Sequence, residues 1–161
     1  MVHHAREEMN RHCFHLHVRS IVWTEDCWPL VSPERYSGEP QRMISPNELA
    51  GEWEWEWIVH DPRADSMVDA IALTLQPDGS IDTGIDSSLM NHGWRVVYQA
   101  TVELQLSSHT FGWESQVELW TCRGTVLPAW DWERERAALV FTGLTGTGAA
   151  VWGKQISQLE A

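Results

Sequence analysis

The chain has 161 residues, a formal net charge of −12 and an apolar fraction of 43%, which suits one domain with a core of its own. The acidity argues against nucleic acid and anionic membrane surfaces as partners, because both need a basic face. No apolar run has the length of a transmembrane helix, and no basic segment followed by an apolar one opens the chain as a secretory signal. Cys13, Cys27 and Cys122 form an odd set without a Cys-x-x-Cys pair, which points to a soluble protein of a reducing compartment such as the cytoplasm or a plastid.

In chain order, residues 1–46 read as an arm. Pro29, Pro33, Pro40 and Pro46 punctuate residues 28–46, which are expected to be irregular. Phe14, Leu16 and Val18 alternate with Cys13, His15, His17 and Arg19, the pattern of one edge strand or of an extended segment lying on a partner. His15 and His17 share a strand face with Cys13. A closed metal site needs further ligands in fixed geometry, so these read as incidental histidines and no metal is expected.

Ser45-Pro46-Asn47-Glu48-Leu49 predicts a helical turn, with Ser45 as N-cap, proline at the first position and Glu48 closing a capping box. Residues 51–60 follow as a strand. Alternation puts Trp53, Trp55, Trp57 and Val59 on one face and Glu52, Glu54 and Glu56 on the other. Strands are expected at 68–76 and 80–85, joined by the hairpin signal Pro77-Asp78-Gly79. Residues 94–106 read as one strand with Trp94, Val96, Tyr98, Val102 and Leu104 on a common face. Residues 111–121 carry Phe111, Trp113, Val117 and Leu119 inward and continue to Val126 with a bend at Gly124. Strands at 137–143 and 149–157 complete the set, and Pro128–Arg136 reads as a loop. A meander of this kind hides its edges by closing into a barrel.

Asn47-Glu48-Leu49-Ala50-Gly51-Glu52-Trp53 resembles the Gly-x-Trp opening of the calycin superfamily, the lipocalins and fatty-acid-binding proteins. The segments Leu73–Ser80 and Gly93-Trp94-Arg95-Val96 resemble small plastid-type and bacterial lipocalin-like domains. The resemblance implies an all-β, antiparallel up-and-down calycin-like barrel of about eight strands. It would occupy residues 47–161, behind an irregular arm at 1–46. It also implies that the helical turn plugs the barrel floor, with Trp53 packed there under a base from the last strand, Lys154. The Asn and Gly-Ser of avidin-type barrels are absent, which removes the case for biotin.

Asp131 and Glu133 beside Trp130 and Trp132 have the residue types of a glycosidase pair. Their spacing puts both acids on one strand face, whereas catalytic pairs usually come from different strands. No nucleophile elbow or phosphate loop occurs, so an enzyme is not expected. Trp53, Trp55, Trp57, Trp94, Tyr98 and Trp113 converge on one interior, as a packed core or as an aromatic-lined cup. The expected function is a non-catalytic barrel that binds a hydrophobic or pigment-like small molecule, with no other cofactor. The alternative is an accessory subunit of a larger complex, organellar or photosynthetic by analogy. It would dock through Phe14, Leu16, Trp23, Trp28, Trp130 and Trp132, where indoles serve as anchors.

Overall fold

The computed structural model describes residues 1–6, 12–58, 70–84, 92–107 and 119–156, with the backbone alone at 5, 6 and 55–58. Four short strands form the arm: β1 (Val2–Arg6), β2 (Phe14–Val18), β3 (Ile21–Trp23) and β4 (Pro29–Val31). A single helical turn, α1 (Pro46–Leu49), leads into β5 (Gly51–Ile58), β6 (Ile71–Leu75), β7 (Ile81–Asp82), β8 (Gly93–Tyr98), β9 (Thr101–Ser107), β10 (Leu119–Asp131), β11 (Arg136–Thr145) and β12 (Ala150–Gln155). The last eight strands form one antiparallel sheet in the order β7-β6-β5-β12-β11-β10-β9-β8. Its two edges meet at the Ser80–Gly93 bridge, where Trp94 N donates to Gly79 O at 2.8 Å, so the sheet curls into a nearly closed barrel. Among the described residues no helix is long and apolar enough to cross a membrane.

Alternation sorts the barrel residues as the sequence pattern requires. Trp53, Leu73, Leu75, Val102, Leu104, Leu106, Cys122, Val126, Phe141 and Val151 are buried in one core. The helical turn closes one end. Ser45 N donates to Glu48 Oε2 at 2.9 Å as the capping box predicts, and Trp53 Nε1 donates to Leu49 O at 2.9 Å. Gln155, paired with Trp53 across β12 and β5, donates its amide to Glu48 O at 2.8 Å. The residue facing Trp53 is thus Gln155. Lys154, one position earlier, lies on the outer face of β12, which corrects the expectation that it covers the indole.

Where two strands were expected to be one, the chain turns. Residues 94–106 split into β8 and β9 at Gln99-Ala100, and Gln99 takes the left-handed φ of +47° that such a tight turn needs. No glycine, asparagine or aspartate marks this turn, so the run reads as continuous. The opposite difference occurs at β10, which runs straight through Pro128 and Trp130 to Asp131. The turn is confined to 132–135, with Glu135 at φ +50°.

The arm folds onto the outside of the barrel. β3 pairs with β4, and Leu30 is buried while Val22 packs on Leu127, Ala129 and Val140, the outward residues of β10 and β11. Thr142 Oγ1 donates to Val31 O at 2.8 Å, and Arg123 reaches Glu25 at 3.2 Å. The outer face of β10–β12 is therefore a second, smaller apolar layer, which explains why β11 reads as an almost unbroken apolar run rather than an alternating one.

Candidate functional site

The densest polar constellation among the described residues lies where the arm crosses the end of the barrel. Asp131 ends β10, Glu133 and Arg134 sit in the following turn, Lys154 projects outward from β12, Glu54 from β5, and Glu34 comes from the bend after β4. Lys154 Nζ contacts Glu133 Oε2 at 2.8 Å, Glu34 Oε1 at 2.9 Å and Asp131 Oδ1 at 3.2 Å. Arg134 contacts Glu54 at 2.9 Å and Asp131 Oδ2 at 3.1 Å. The Asp131 side chain is fully buried and also accepts hydrogen bonds from the backbone N–H groups of Glu133 and Arg134 at 3.1 and 3.2 Å.

This geometry fixes the charge states. Burial pushes the Asp131 carboxyl up, but the hydrogen bonds from Arg134 and Lys154 outweigh it and hold the group below its usual value. Burial likewise pulls Lys154 down, and Glu133, Glu34 and Asp131 override it and push the ammonium well above its usual value. Arg134 is raised by its bond to Asp131. Asp131 is thus an ionised, coordinated anchor without a proton to donate. What the cluster does is tie residues 32–36 to the barrel. Ser32 is buried, and Trp132 donates Nε1 to Arg35 O at 3.3 Å while the Arg35 guanidinium lies 4.5 Å over its ring. Arg19 stacks 5.5 Å over Trp152 and donates to Ser32 O at 3.0 Å and to Pro33 O.

Two clefts flank this strap. One, of about 180 Å³, is lined by Glu54, Ala70, Glu133, Trp152, Gly153 and Lys154. The other, of about 380 Å³, includes Glu39, Arg42, Pro128, Arg136, Ala138 and Gln155 in its wall. Neither is lined by the aromatic set expected to form a cup. Trp53 is fully buried in the floor. Trp94 is half-buried, its Nε1 donating to Gln76 O at 2.8 Å. Tyr98 is 62% exposed at the β8–β9 turn, so it points to solvent and not into the barrel. The side chains of Trp55 and Trp57 and the whole of Trp113 lie outside the described residues.

The docking set divides as well. Phe14, Leu16, Trp23 and Trp28 are exposed on the arm, Trp132 is partly exposed under Arg35, and Trp130 is half-buried in β10 opposite Ala137. His3 and His17 face each other across β1–β2 with ring centroids 5.3 Å apart, and His3 accepts a hydrogen bond from Arg19 Nε at 3.2 Å. Among the described residues no group of three potential ligands could hold a metal ion. The sequence reading missed Glu34, Glu54, Arg134 and Lys154 as one unit. The available signal was Trp-Asp-Trp at the end of an apolar strand, since an acid there must find cations.

The family model for GH43_C, the C-terminal lipocalin-like domain, matches residues 33–153. An extracellular endo-α-(1→5)-L-arabinanase 2 of Bacillus subtilis is 25% identical over 138 residues, 86% of this chain and 26% of that protein. An extracellular endo-α-(1→5)-L-arabinanase of Thermotoga petrophila is 24% identical over 157 residues, 96% of this chain and 30% of that protein. The crystal structure of the glycoside hydrolase family 43 YxiA protein from Bacillus licheniformis superposes with a TM-score of 0.76 at 23% identity, covering 98% of this chain and 32% of that one. That of the Thermotoga petrophila endo-1,5-α-L-arabinanase gives a TM-score of 0.75 at 21% identity, covering 97% and 32%. The chain thus spans about a quarter to a third of the length of these relatives. These findings overturn both functional expectations, the carrier of a hydrophobic or pigment-like molecule and the accessory subunit of an organellar complex. The expectation that the chain is not an enzyme is overturned with them, because the relatives of which it matches a part are named endo-arabinanases. Lipocalin-like architecture was read correctly, but carrier function was inferred from fold alone, and fold does not carry function. A barrel tied on its outer face by an ion cluster around the buried Asp131, matched from residue 33 to residue 153, belongs to the GH43_C family of C-terminal lipocalin-like domains.

Proposed function

We propose that this chain works as the lipocalin-like domain of a family 43 glycoside hydrolase directed at α-1,5-linked arabinan. The observation that carries the reading is the family match over residues 33–153. The two arabinanases that align with 86% and 96% of the chain supply the substrate class. Both are named as extracellular, which supports action outside the cell rather than in the reducing compartment expected from the cysteines. The geometry supports a positioning role for the ion cluster. Asp131 and Glu133 are engaged with Lys154 and Arg134, and their task is to hold the arm, and with it the N-terminal hairpins, against the barrel.

The test is a chimaera in which this chain replaces the matching part of the Thermotoga petrophila arabinanase. Reducing ends released from debranched arabinan are measured against those from xylan. The reading expects arabinan hydrolysis to be retained. A chimaera that folds cooperatively and cleaves no arabinan contradicts it.

A further inference from the structure

The larger cleft, of about 380 Å³, lies between residues 39–42, which lead into α1, and the start of β11 beside the end of β10. Both walls fall inside the stretch matched to the family, so the cleft belongs to the barrel domain. Its volume is that of a small-ligand site, roughly 300–1,000 Å³. Pro40, Pro128 and Ala138 give it an apolar lining, and no aromatic ring is part of it. Its charged groups are Glu39 and Arg42 on one wall and Arg136 on the other. Arg42 is paired with Glu48 at 2.6 Å. Arg136 and Glu39 are not paired, with each other or with any other charge among the described residues. Arg136 Nη2 donates to the backbone oxygens of Ile156 at 2.6 Å and Gln155 at 3.5 Å. Its Nε is buried and has no acceptor among the described residues. Acids outnumber Lys and Arg by 23 to 11 in this chain, so a guanidinium without a carboxylate is not explained by a shortage of partners.

A cation and an anion held apart across one cleft select the ligand. A carboxylate or phosphate would be repelled by Glu39, and an ammonium by Arg136. A hydroxyl both donates and accepts, so neighbouring hydroxyls satisfy both walls: one accepts from Arg136 and the other donates to Glu39. An α-1,5-linked arabinan uses the C1 and C5 positions of each furanose in linkage and leaves the vicinal O2 and O3 hydroxyls free. We propose that this cleft binds α-1,5-linked arabino-oligosaccharides, with Arg136 as donor and Glu39 as acceptor to those hydroxyls and the furanose C–H groups against Pro40, Pro128 and Ala138. The substrate class rests on the hydrolase reading above; the cleft and its unpaired charges do not. The lack of an aromatic ring sets the preference. Flat pyranose chains such as xylan gain from stacking on indole or phenol faces, which this cleft does not offer.

The test follows the amide NMR signals of the full chain as α-1,5-arabinotetraose, xylotetraose or a galacturonate trimer is added. Arabinotetraose should shift the Arg42 and Ala137–Leu139 amides saturably, and the other two should bind more weakly. Glu39→Gln should weaken arabinotetraose binding roughly fivefold to tenfold, by removing a charged acceptor. Ala138→Trp fills the cleft without altering either charged group and should abolish binding. Glu39→Gln, outside any strand, decides the matter by itself if Ala138→Trp lowers the melting temperature. Tyr98→Ala removes the exposed ring at the β8–β9 turn and should leave binding unchanged. Three results overturn the site: no saturable shift at the cleft, binding indifferent to Glu39→Gln, or binding lost in Tyr98→Ala. Xylotetraose bound as tightly overturns the ligand class, and galacturonate bound more tightly makes the cleft a carboxylate site and does the same. The hydrolase reading is decided separately by the chimaera. Arabinan hydrolysis without binding at the cleft removes the site alone, and binding at the cleft with an inactive chimaera removes the enzyme alone.

Discussion

Lys154 Nζ and Asp131 Oδ1 lie 3.2 Å apart beside Glu34, with the Asp131 side chain fully buried and Lys154 partly so. The pair joins two barrel strands to the arm. Removing one partner of a buried ion pair strands the other charge, at a cost of roughly 3–5 kcal/mol. Asp131 keeps Arg134 and two backbone N–H groups, so Lys154→Met should lower stability by less than that, about 1–3 kcal/mol in guanidinium denaturation. It should also speed amide exchange of residues 32–36, which lose Glu34 as an anchor. Unchanged exchange there would mean that the apolar layer alone holds the strap.

Asp131 also predicts an acid limit. Its folded pKa lies below the unfolded value of about 3.9. Its stabilisation is complete above that value and is lost as pH falls through the folded pKa, because the unfolded chain takes up the proton first. Asp131→Asn should be less stable near neutrality and should show a weaker dependence of unfolding free energy on pH below about 4.

His92 gives a second, separate pH dependence. The ring is buried next to the barrel closure, neither nitrogen has a hydrogen-bond partner among the described residues, and burial lowers its pKa. The unfolded state then binds a proton below about pH 6.5 that the folded state refuses, so stability falls as pH drops below that value. His17 is shifted in the same direction from a half-buried position. His92→Phe should flatten the profile between about pH 6.5 and 5, and His17→Gln should change it little.

Gly124 and Gly143 face each other across β10 and β11, with the Phe141 ring over them. A Cβ at either position would come within 2.6 Å of Phe141 Cζ. Gly124→Ala and Gly143→Ala should each cost about 1–3 kcal/mol through overpacking. Phe141→Leu should relieve part of that in a double-mutant cycle.

Trp53 fills the barrel floor and donates to Leu49 O. Trp53→Ala should cost roughly 3–5 kcal/mol in chemical denaturation. A loss below about 1 kcal/mol would show that the helical turn does not plug the barrel.

Much of this fold was legible in the residues themselves. Period-two alternation placed Trp53, Leu73, Val102 and Leu104 inward, and the Ser45–Glu48 capping box placed the helical turn. The β8–β9 turn was not legible, because Gln99 adopts a left-handed φ without a turn residue to announce it. The strap was hidden for a different reason. Glu34, Glu54, Lys154 and the Asp131–Arg134 turn are far apart in sequence, and nothing local joins them. Function was least legible: the aromatic count suggested a cup, whereas Tyr98 points to solvent and Trp53 is packed in the floor.

The most direct measurement of the central claim uses the native protein. An antibody against the barrel isolates the polypeptide that contains these 161 residues, together with anything bound to it, and the eluate is assayed on debranched α-1,5-arabinan. The account predicts release of reducing ends above the mock eluate, with short arabino-oligosaccharides as products. An eluate that holds the intact barrel and leaves arabinan uncut would contradict it.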